Sequence, residues 1–209
     1  MISIGPQSDS PNEYDERRRF CRSGPDCRPA GSGTGDPWAP DLAEWHLHTQ
    51  SSPDNPGVLA AYRELEEQTD GLFRSLTDCA SPCPIAVSFT HLSQPYDSDQ
   101  ELISAIVTEQ RLEVSVAASD RHRLHPALDC RPGGPYDRFR AVHDIVGHGF
   151  GGRGFDAQGE YSAWRIQNCL YRGLARLALA TELRAEYAVL RETGEFAEHK
   201  ALIVPWAFE

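Results

Sequence analysis

Long apolar runs and a secretory leader are both missing from this chain. No stretch of about 18 consecutive apolar residues is present, so an ordinary transmembrane helix is not expected. Met1 is followed by polar, proline-containing sequence instead of the charged start and apolar core of a signal peptide. We therefore expect a soluble, cytoplasmic protein.

Basic residues are also scarce relative to acidic ones. Lys and Arg total 20 against 31 for Asp and Glu, which gives a net charge of −11. Such a surface repels phosphate backbones and anionic lipids, so neither nucleic acid nor a membrane is an expected partner. The six cysteines are expected to be reduced thiols, because no secretory signal accompanies them.

The 209 residues suit one domain. Residues 1–56 are rich in Gly, Pro, Ser, Asp and Arg, and they predict a mostly irregular N-terminal segment, with helical spacing only from Trp38 to His48. Residues 57–209 are predicted to form a metal-binding catalytic domain.

Apolar periodicity predicts a mainly helical α+β fold, with a single domain, a few short strands and a long C-terminal helix. Helices are expected at 56–77, at 99–110, from Tyr136 to near Gly147, from about Gly159 to Glu192 with a kink near Gly173, and at 196–203. Strands are expected at 85–90 and 112–116.

The stretch from His143 to His148 carries the most distinctive chemistry. Its two imidazoles are five positions apart, so on a regular α-helix they would point roughly 140° away from each other. A helix that unwinds at Gly147, within a glycine-dense loop, would let His148 turn back toward His143. The pair can then serve as two neutral nitrogen ligands of one metal ion.

A third ligand is expected from the long downstream helix. Glu182 and Glu186 lie four positions apart and so share one helix face. Two histidines and one carboxylate on one face of an ion leave positions open for oxygen and a co-substrate, which is the pattern of mononuclear non-haem Fe(II) centres. The alternative is that His143 is a core histidine, that His148 lies in solvent and that both glutamates lie on a solvated helix face.

At these residues the sequence resembles the aromatic amino acid hydroxylases, which use iron and a tetrahydropterin. Their His-Glu-x-x-Gly-His motif is similar to His143-Asp144-Ile145-Val146-Gly147-His148, and their third ligand is a glutamate in a downstream helix. The family's carboxylate-gripping arginine, followed by a Gly, Pro and Tyr turn, resembles Arg131 and the turn from Pro132 to Tyr136. The resemblance thus implies Fe(II) and a substrate contact at Arg131. It does not extend to the pterin-binding loop, so tetrahydropterin carries over less well than iron.

The chain also resembles uncharacterised bacterial and phage proteins with His-Asp-x-x-Gly-His, Gly-Glu, Thr-Glu and Phe-Ala-Glu-x-Lys-Ala motifs. Here these correspond to the histidine motif, Gly159-Glu160, Thr181-Glu182 and 196–201. That resemblance favours Glu182 over Glu186. Asp144 and Glu160 are secondary candidates, as groups that orient a ligand or, for Glu160, as an extra ligand. His199 is expected at the surface.

The predicted function is that of a mononuclear non-haem iron monooxygenase or hydroxylase, with dioxygen and a small, amino-acid-like molecule as substrates. A second interpretation is a metal-dependent phosphohydrolase of the HD type, in which His122 or His125 and Asp156 would complete a site around His143-Asp144. A zinc hydrolase with the same ligands, and a noncatalytic binding protein with structural histidines, are further alternatives. The sequence does not predict the oligomeric state.

Overall fold

Helices dominate the part of the chain that the computed structural model describes, residues 35–116 and 125–205. The elements are α1 (Ala39–His48), α2 (Pro56–Thr77), β1 (Ala86–Thr90), α3 (Asp99–Val107), β2 (Arg111–Ser115), α4 (Pro135–His143), π1 (Asp144–Phe150), α5 (Ala157–Asn168), α6 (Ala175–Leu179), π2 (Ala180–Ala185) and α7 (Glu186–Thr193). The mainly helical α+β prediction is confirmed. Residues 1–34, most of the predicted irregular segment, lie outside the described part, as does His122.

The strands β1 and β2 pair in parallel, with Ala86 opposite Arg111, and α3 connects them. α3 begins at a side-chain cap, because the Ser98 hydroxyl accepts a hydrogen bond from the Glu101 backbone N–H at 3.2 Å. One apolar core lies between this sheet, α3 and the α4–π1 segment. It fixes α4 and π1 in place.

A second apolar core joins α1, α2 and the C-terminal helix, which runs without a break from α6 through π2 into α7. α1 belongs to this core, since Ala39, Leu42 and Ala43 are buried. The Arg184 guanidinium binds Asp36, just before α1, with Nη2 2.8 Å from Oδ1. This buried pair attaches the segment before α1 to the C-terminal helix.

Three predicted helix boundaries are wrong. The helix that carries His143 does not end near Gly147 but widens into π1 and continues to Phe150. The predicted long C-terminal helix is confirmed at 175–193. The segment from Gly159 to Glu192 is nevertheless two helices, because α5 ends at Asn168 and Gly173 takes a left-handed conformation (φ 62°) before α6 begins. Residues 195–205 contain no helix. No helix in the described ranges has the length and apolar character needed to cross a membrane.

Candidate metal centre

The π-helical turn brings His143 and His148 together. In a π-helix the backbone N–H bonds to the carbonyl five residues earlier, as Gly151 N does to Val146 O at 3.0 Å and Arg153 N does to His148 O at 3.2 Å. Residues five apart therefore lie one turn apart, on the same side. The two rings meet edge to face with their centroids 4.8 Å apart, and their Nε2 atoms are 3.1 Å apart.

Close packing on both sides accompanies this wide turn. A Cβ atom at Gly147 would lie 2.8 Å from Ala163 Cβ on α5, and one at Gly149 would lie 2.5 Å from Ile106 Cγ2 on α3. Both distances are too short for carbon atoms, so only glycine lets α3 and α5 pack this closely against π1. The glycines thus permit close packing against a helix that widens instead of unwinding.

The outer ring nitrogens of both histidines bind carbonyl oxygens. His143 Nδ1 lies 2.9 Å from Gln167 Oε1, and His148 Nδ1 lies 2.9 Å from the Arg153 backbone oxygen. A carbonyl oxygen only accepts, so each Nδ1 carries the proton. In the neutral rings both Nε2 atoms are then lone-pair donors that point at each other.

The Glu160 carboxylate lies beside the Nε2 atoms of both histidines. Its Oε2 lies 3.4 Å from His143 Nε2 and its Oε1 lies 3.6 Å from His148 Nε2. Burial alone would raise the pKa of Glu160, but the hydrogen bonds and charges of the two histidines outweigh burial and lower this pKa to about 2. The pKa of His148 is raised, because Glu160 and Asp144 more than offset the effect of its burial. Both shifts show that this pocket favours positive charge between the three side chains.

A cation fits this arrangement better than a proton does. One proton can join only two of the acceptor groups, whereas a metal ion can bind both nitrogens and the carboxylate at once. Two ligand atoms about 2.1 Å from one ion are about 3.0 Å apart at a right angle and about 3.4 Å apart at the tetrahedral angle. The observed separations of 3.1, 3.4 and 3.6 Å are close to these values. The three groups can therefore hold one divalent ion.

The walls around this group, called the His143 cluster (His143, His148 and Glu160), are apolar or desolvated. Phe155 packs edge-on against His148 with the ring centroids 4.9 Å apart, and Ile145 and Val146 on π1 are buried in the adjoining apolar core. Burial also raises the pKa of Asp144, against the lowering effect of both histidines. The alternative interpretation, in which His148 lies in solvent, is wrong, because only 1% of its surface is exposed.

Glu182, the predicted third ligand, lies in a different group of side chains. Its Oε1 accepts hydrogen bonds from the Tyr62 hydroxyl at 2.5 Å and from His125 Nε2 at 3.0 Å. The ligand atoms of His143, His148 and Glu160 lie close enough together to bind one ion. Those of Glu182 lie close enough to His125 and His199 instead. The structure thus pairs the two predicted histidines with Glu160 instead of Glu182.

We call this second group the Glu182 cluster (Tyr62, His125, Tyr136, Glu182, Glu186 and His199). His125 Nδ1 accepts two backbone hydrogen bonds, from Ala127 N at 3.0 Å and from Leu128 N at 2.8 Å. An Nδ1 that accepts cannot also carry a proton, so the ring proton is on Nε2 and points at Glu182. A metal at Nε2 would have to displace that proton, and the two backbone donors would hinder its move to Nδ1. The Glu182 cluster is therefore a hydrogen-bonded network and a poor metal site.

Glu186, the alternative third ligand, belongs to the same network. His199 Nδ1 lies 2.9 Å from Glu186 Oε1, and His199 Nε2 lies 3.2 Å from the Tyr136 hydroxyl. Burial and the neighbouring charge of Glu182 raise the pKa of Glu186 well above its usual value. His199 is not a surface histidine as predicted, since its side chain is only 7% exposed.

The remaining sequence candidates do not belong to the His143 cluster. Arg131 is on an exposed turn, with 84% of its side chain in solvent and its Nη2 2.6 Å from Asp129 Oδ2. Asp156, a candidate of the phosphohydrolase interpretation, caps α5 by accepting from Gly159 N at 2.6 Å. His125, the other described residue of that interpretation, lies in the Glu182 cluster.

Sequence reasoning underrated Glu160 and overlooked Tyr62 as a polar group. Glu160 was present in the Gly159-Glu160 motif, but an acid in the first turn of a helix is ordinary, and nothing local indicates which helix packs against π1. Tyr62 fits the apolar face of α2, and only its burial beside Glu182 shows the role of its hydroxyl. A comparison with family models, curated proteins and solved structures finds no match to this chain.

Proposed function

We propose that this protein is a mononuclear non-haem Fe(II) oxygenase in which His143, His148 and Glu160 hold the metal. One observation carries the proposal: two imidazole Nε2 atoms, neither able to carry a proton while its ring is neutral, point at each other at 3.1 Å beside a carboxylate. Without a shared cation this arrangement is repulsive. The donor set of two neutral imidazoles and one carboxylate is that of non-haem iron oxygenases.

The protein's own residues have three tasks in this proposal. Gln167 and the Arg153 carbonyl hold both rings with Nδ1 protonated and Nε2 turned inward. Glu160 supplies the negative charge, so that the site keeps one net positive charge with a divalent ion. Phe155 and the buried wall of π1 exclude water from one side. An Fe(II) ion bound there would supply the activation of dioxygen for oxidation of a small, amino-acid-like molecule.

Anaerobic purification followed by iron quantitation and an oxygen-consumption assay tests this function. We expect about one iron per chain in the wild type, and loss of iron in His143→Ala, His148→Ala and Glu160→Gln. Glu182→Gln is the matched control, since it makes the same chemical change in the other cluster and should keep its iron. Loss of iron in Glu182→Gln with retention in Glu160→Gln would return the ligand assignment to Glu182. Stoichiometric zinc without oxygen consumption would instead indicate a hydrolase.

A further inference from the structure

A buried chain of polar side chains leads from His143 to α2. Its first link is Gln167, whose Oε1 accepts a hydrogen bond from His143 Nδ1 at 2.9 Å. Its last link is on α2, where Thr69 Oγ1 lies 2.9 Å from the Tyr171 hydroxyl. The exposed fractions of Gln167, Tyr171 and Thr69 are 0%, 4% and 1%. Side chains buried to this degree must satisfy one another's hydrogen bonds.

Gln167 and Tyr171 form the middle of the chain. They are four residues apart, and the Tyr171 backbone N–H bonds to Asn168 O at 3.3 Å, so the backbone still follows a helical turn and the two side chains are neighbours. Burial raises the pKa of Tyr171, and the Thr69 hydroxyl and the Gln167 amide partly offset this. Only a donor lowers the pKa of a phenol, and Nε2 is the donor end of the amide. The Nε2 end of Gln167 therefore faces the Tyr171 oxygen.

Gln167 Nε2 depends on Tyr171 for an acceptor. Within residues 35–116 and 125–205 this buried nitrogen has no partner that meets full hydrogen-bond geometry. A buried N–H is nearly always satisfied, and the Tyr171 oxygen is the acceptor that the amide faces. When the Tyr171 hydroxyl donates to Thr69, the lone pairs of its oxygen remain available to Nε2.

The direction of the Gln167 amide is coupled to the tautomer of His143. The two ends of an amide have nearly the same shape, so hydrogen-bond partners decide which end faces the ring. With Oε1 facing the ring, the imidazole proton is on Nδ1 and the ring Nε2 keeps its lone pair. With the amide reversed, its N–H would donate to Nδ1, and the ring proton would lie on Nε2. A metal could not bind that nitrogen without displacing the proton.

We propose that Tyr171, oriented by Thr69, is a positioning residue of the metal centre; this inference rests on the function proposed above. The Tyr171 oxygen accepts from Gln167 Nε2 and thereby keeps Oε1 against His143. His143 then presents an unprotonated Nε2 to the metal. Tyr171 touches neither the metal nor a substrate, and it acts only through Gln167.

Anaerobic Fe(II) titration in competition with a chromogenic chelator gives the first readout. Tyr171→Phe should lower the iron affinity by about 3- to 10-fold, because one neutral hydrogen bond to Gln167 is lost. Tyr62→Phe is the matched control, since it removes a similarly buried phenol hydroxyl that bonds to Glu182, and it should keep the wild-type affinity. No loss in Tyr171→Phe, or an equal loss in both variants, would overturn the assignment.

Two substitutions of Thr69 test the chain with the Tyr171 hydroxyl still in place. Thr69→Val removes the oxygen, so the Tyr171 hydroxyl would turn to donate to Gln167 and would favour the reversed amide. Iron affinity should then fall as it does in Tyr171→Phe. Thr69→Ser keeps a hydroxyl and should bind iron more tightly than Thr69→Val. Wild-type affinity in Thr69→Val would contradict the proposal.

The tautomer of His143 is a readout that a merely structural role of Tyr171 would not change. NMR of the histidine ring nitrogens in metal-free protein at alkaline pH should show the proton on Nδ1 in the wild type. In Tyr171→Phe part of it should move to Nε2. The effect of Tyr171→Phe on iron affinity should also vanish in a Gln167→Ala background, because Tyr171 then has no amide to orient. Additive losses would refute the proposed path.

The two readouts separate this inference from the function on which it rests. If the wild type binds iron but Tyr171→Phe changes neither the affinity nor the tautomer, the positioning role is refuted and the metal site stands. If the wild type binds no iron while the tautomer of His143 still depends on Tyr171, the proposed function is refuted and the positioning role stands. Thermal unfolding of each variant checks that the fold is kept.

Discussion

His143 and His148 face each other across one π-helical turn, and their Nε2 atoms are 3.1 Å apart. On a regular α-helix the same two positions would diverge, so the candidate metal centre depends on a local change of helix type. Gly147 lies within that turn and lets α5 approach closely, since a Cβ there would lie 2.8 Å from Ala163 Cβ. Local backbone geometry and tertiary packing therefore determine the candidate site together.

Gly147→Ala should weaken both the fold and the metal site. The added Cβ would lie 2.8 Å from Ala163 Cβ and 3.4 Å from His143 Nδ1, so π1 and α5 must move apart. Overpacking of this kind typically costs about 1–3 kcal/mol in the free energy of unfolding. Urea unfolding and iron titration would measure both effects.

Ala163→Gly offers a rescue of this variant, because it removes the atom that the new Cβ would meet. The double variant should bind iron better than Gly147→Ala alone, although glycine in a helix itself costs about 1 kcal/mol. A coupling energy near zero between the two changes would contradict this packing explanation.

Features set by neighbouring residues were predictable from the sequence. Asn55-Pro56 is a typical helix start in the sequence, and the Asn55 side chain does accept hydrogen bonds from Gly57 N and Val58 N at the start of α2. Ser98 and Glu101 have the spacing of a capping box at the start of α3. The Ser98 cap forms, but the Glu101 carboxylate accepts from Asp97 N instead of Ser98 N. These signals operate within one turn of chain and need no tertiary partner.

Features set by packing between distant segments were not predictable in this way. The π-helical turn at Gly147 packs closely against Ala163 on another helix, and periodicity does not encode such a contact. Likewise, Glu160 and Glu182 are both helical acids downstream of His148. The choice between them depends on which helix packs against π1, so the sequence identified the two histidines but not their carboxylate partner.

Gln167→Ala should lower iron affinity without removing a proposed ligand. Gln167 is fully buried, and its oxygen accepts from His143 Nδ1, which fixes the ring with Nε2 inward. Loss of such a partner typically lowers metal affinity by about 10- to 100-fold. Competition with a chromogenic chelator would measure the change. The control is Gln68→Ala, because Gln68 lies on α2 and bonds to Arg172, and this variant should bind iron as the wild type does. If the iron affinities of both variants are within twofold of the wild type, Gln167 does not have this role.

Tyr62→Phe should destabilise the fold while leaving iron content unchanged. The variant removes a hydrogen bond to the buried carboxylate of Glu182, and a charged acceptor deprived of a donor costs about 1–3 kcal/mol. Urea denaturation and iron quantitation on one preparation would show both results. Tyr161→Phe makes the same chemical change at a hydroxyl that bonds to no residue of the described chain, so its stability should change by less than about 0.5 kcal/mol. Iron loss in Tyr62→Phe would place the Glu182 cluster at the metal.

His46 should make the folded state sensitive to mild acid. It is 1% exposed, neither ring nitrogen has a hydrogen-bond partner in the described ranges, and burial together with the Lys200 charge lowers its pKa from 6.5 to about 4 despite Glu182. Between these two values the unfolded chain binds the proton and the folded chain does not. Protonation of His46 therefore does not oppose folding above about pH 6.5. The free energy of unfolding declines as the pH falls from there toward 4, with a loss of about 2 kcal/mol between pH 7 and pH 5.

Urea unfolding of His46→Leu at these two pH values isolates that contribution. The apolar side chain removes the titrating group and its unsatisfied nitrogens, so the variant should lose less stability than the wild type between pH 7 and pH 5. His48→Gln, an exposed position on the same helix, should keep the pH dependence of the wild type. An unchanged pH dependence in His46→Leu would mean that His46 takes up its proton without opposing the fold, and that other groups cause the acid sensitivity.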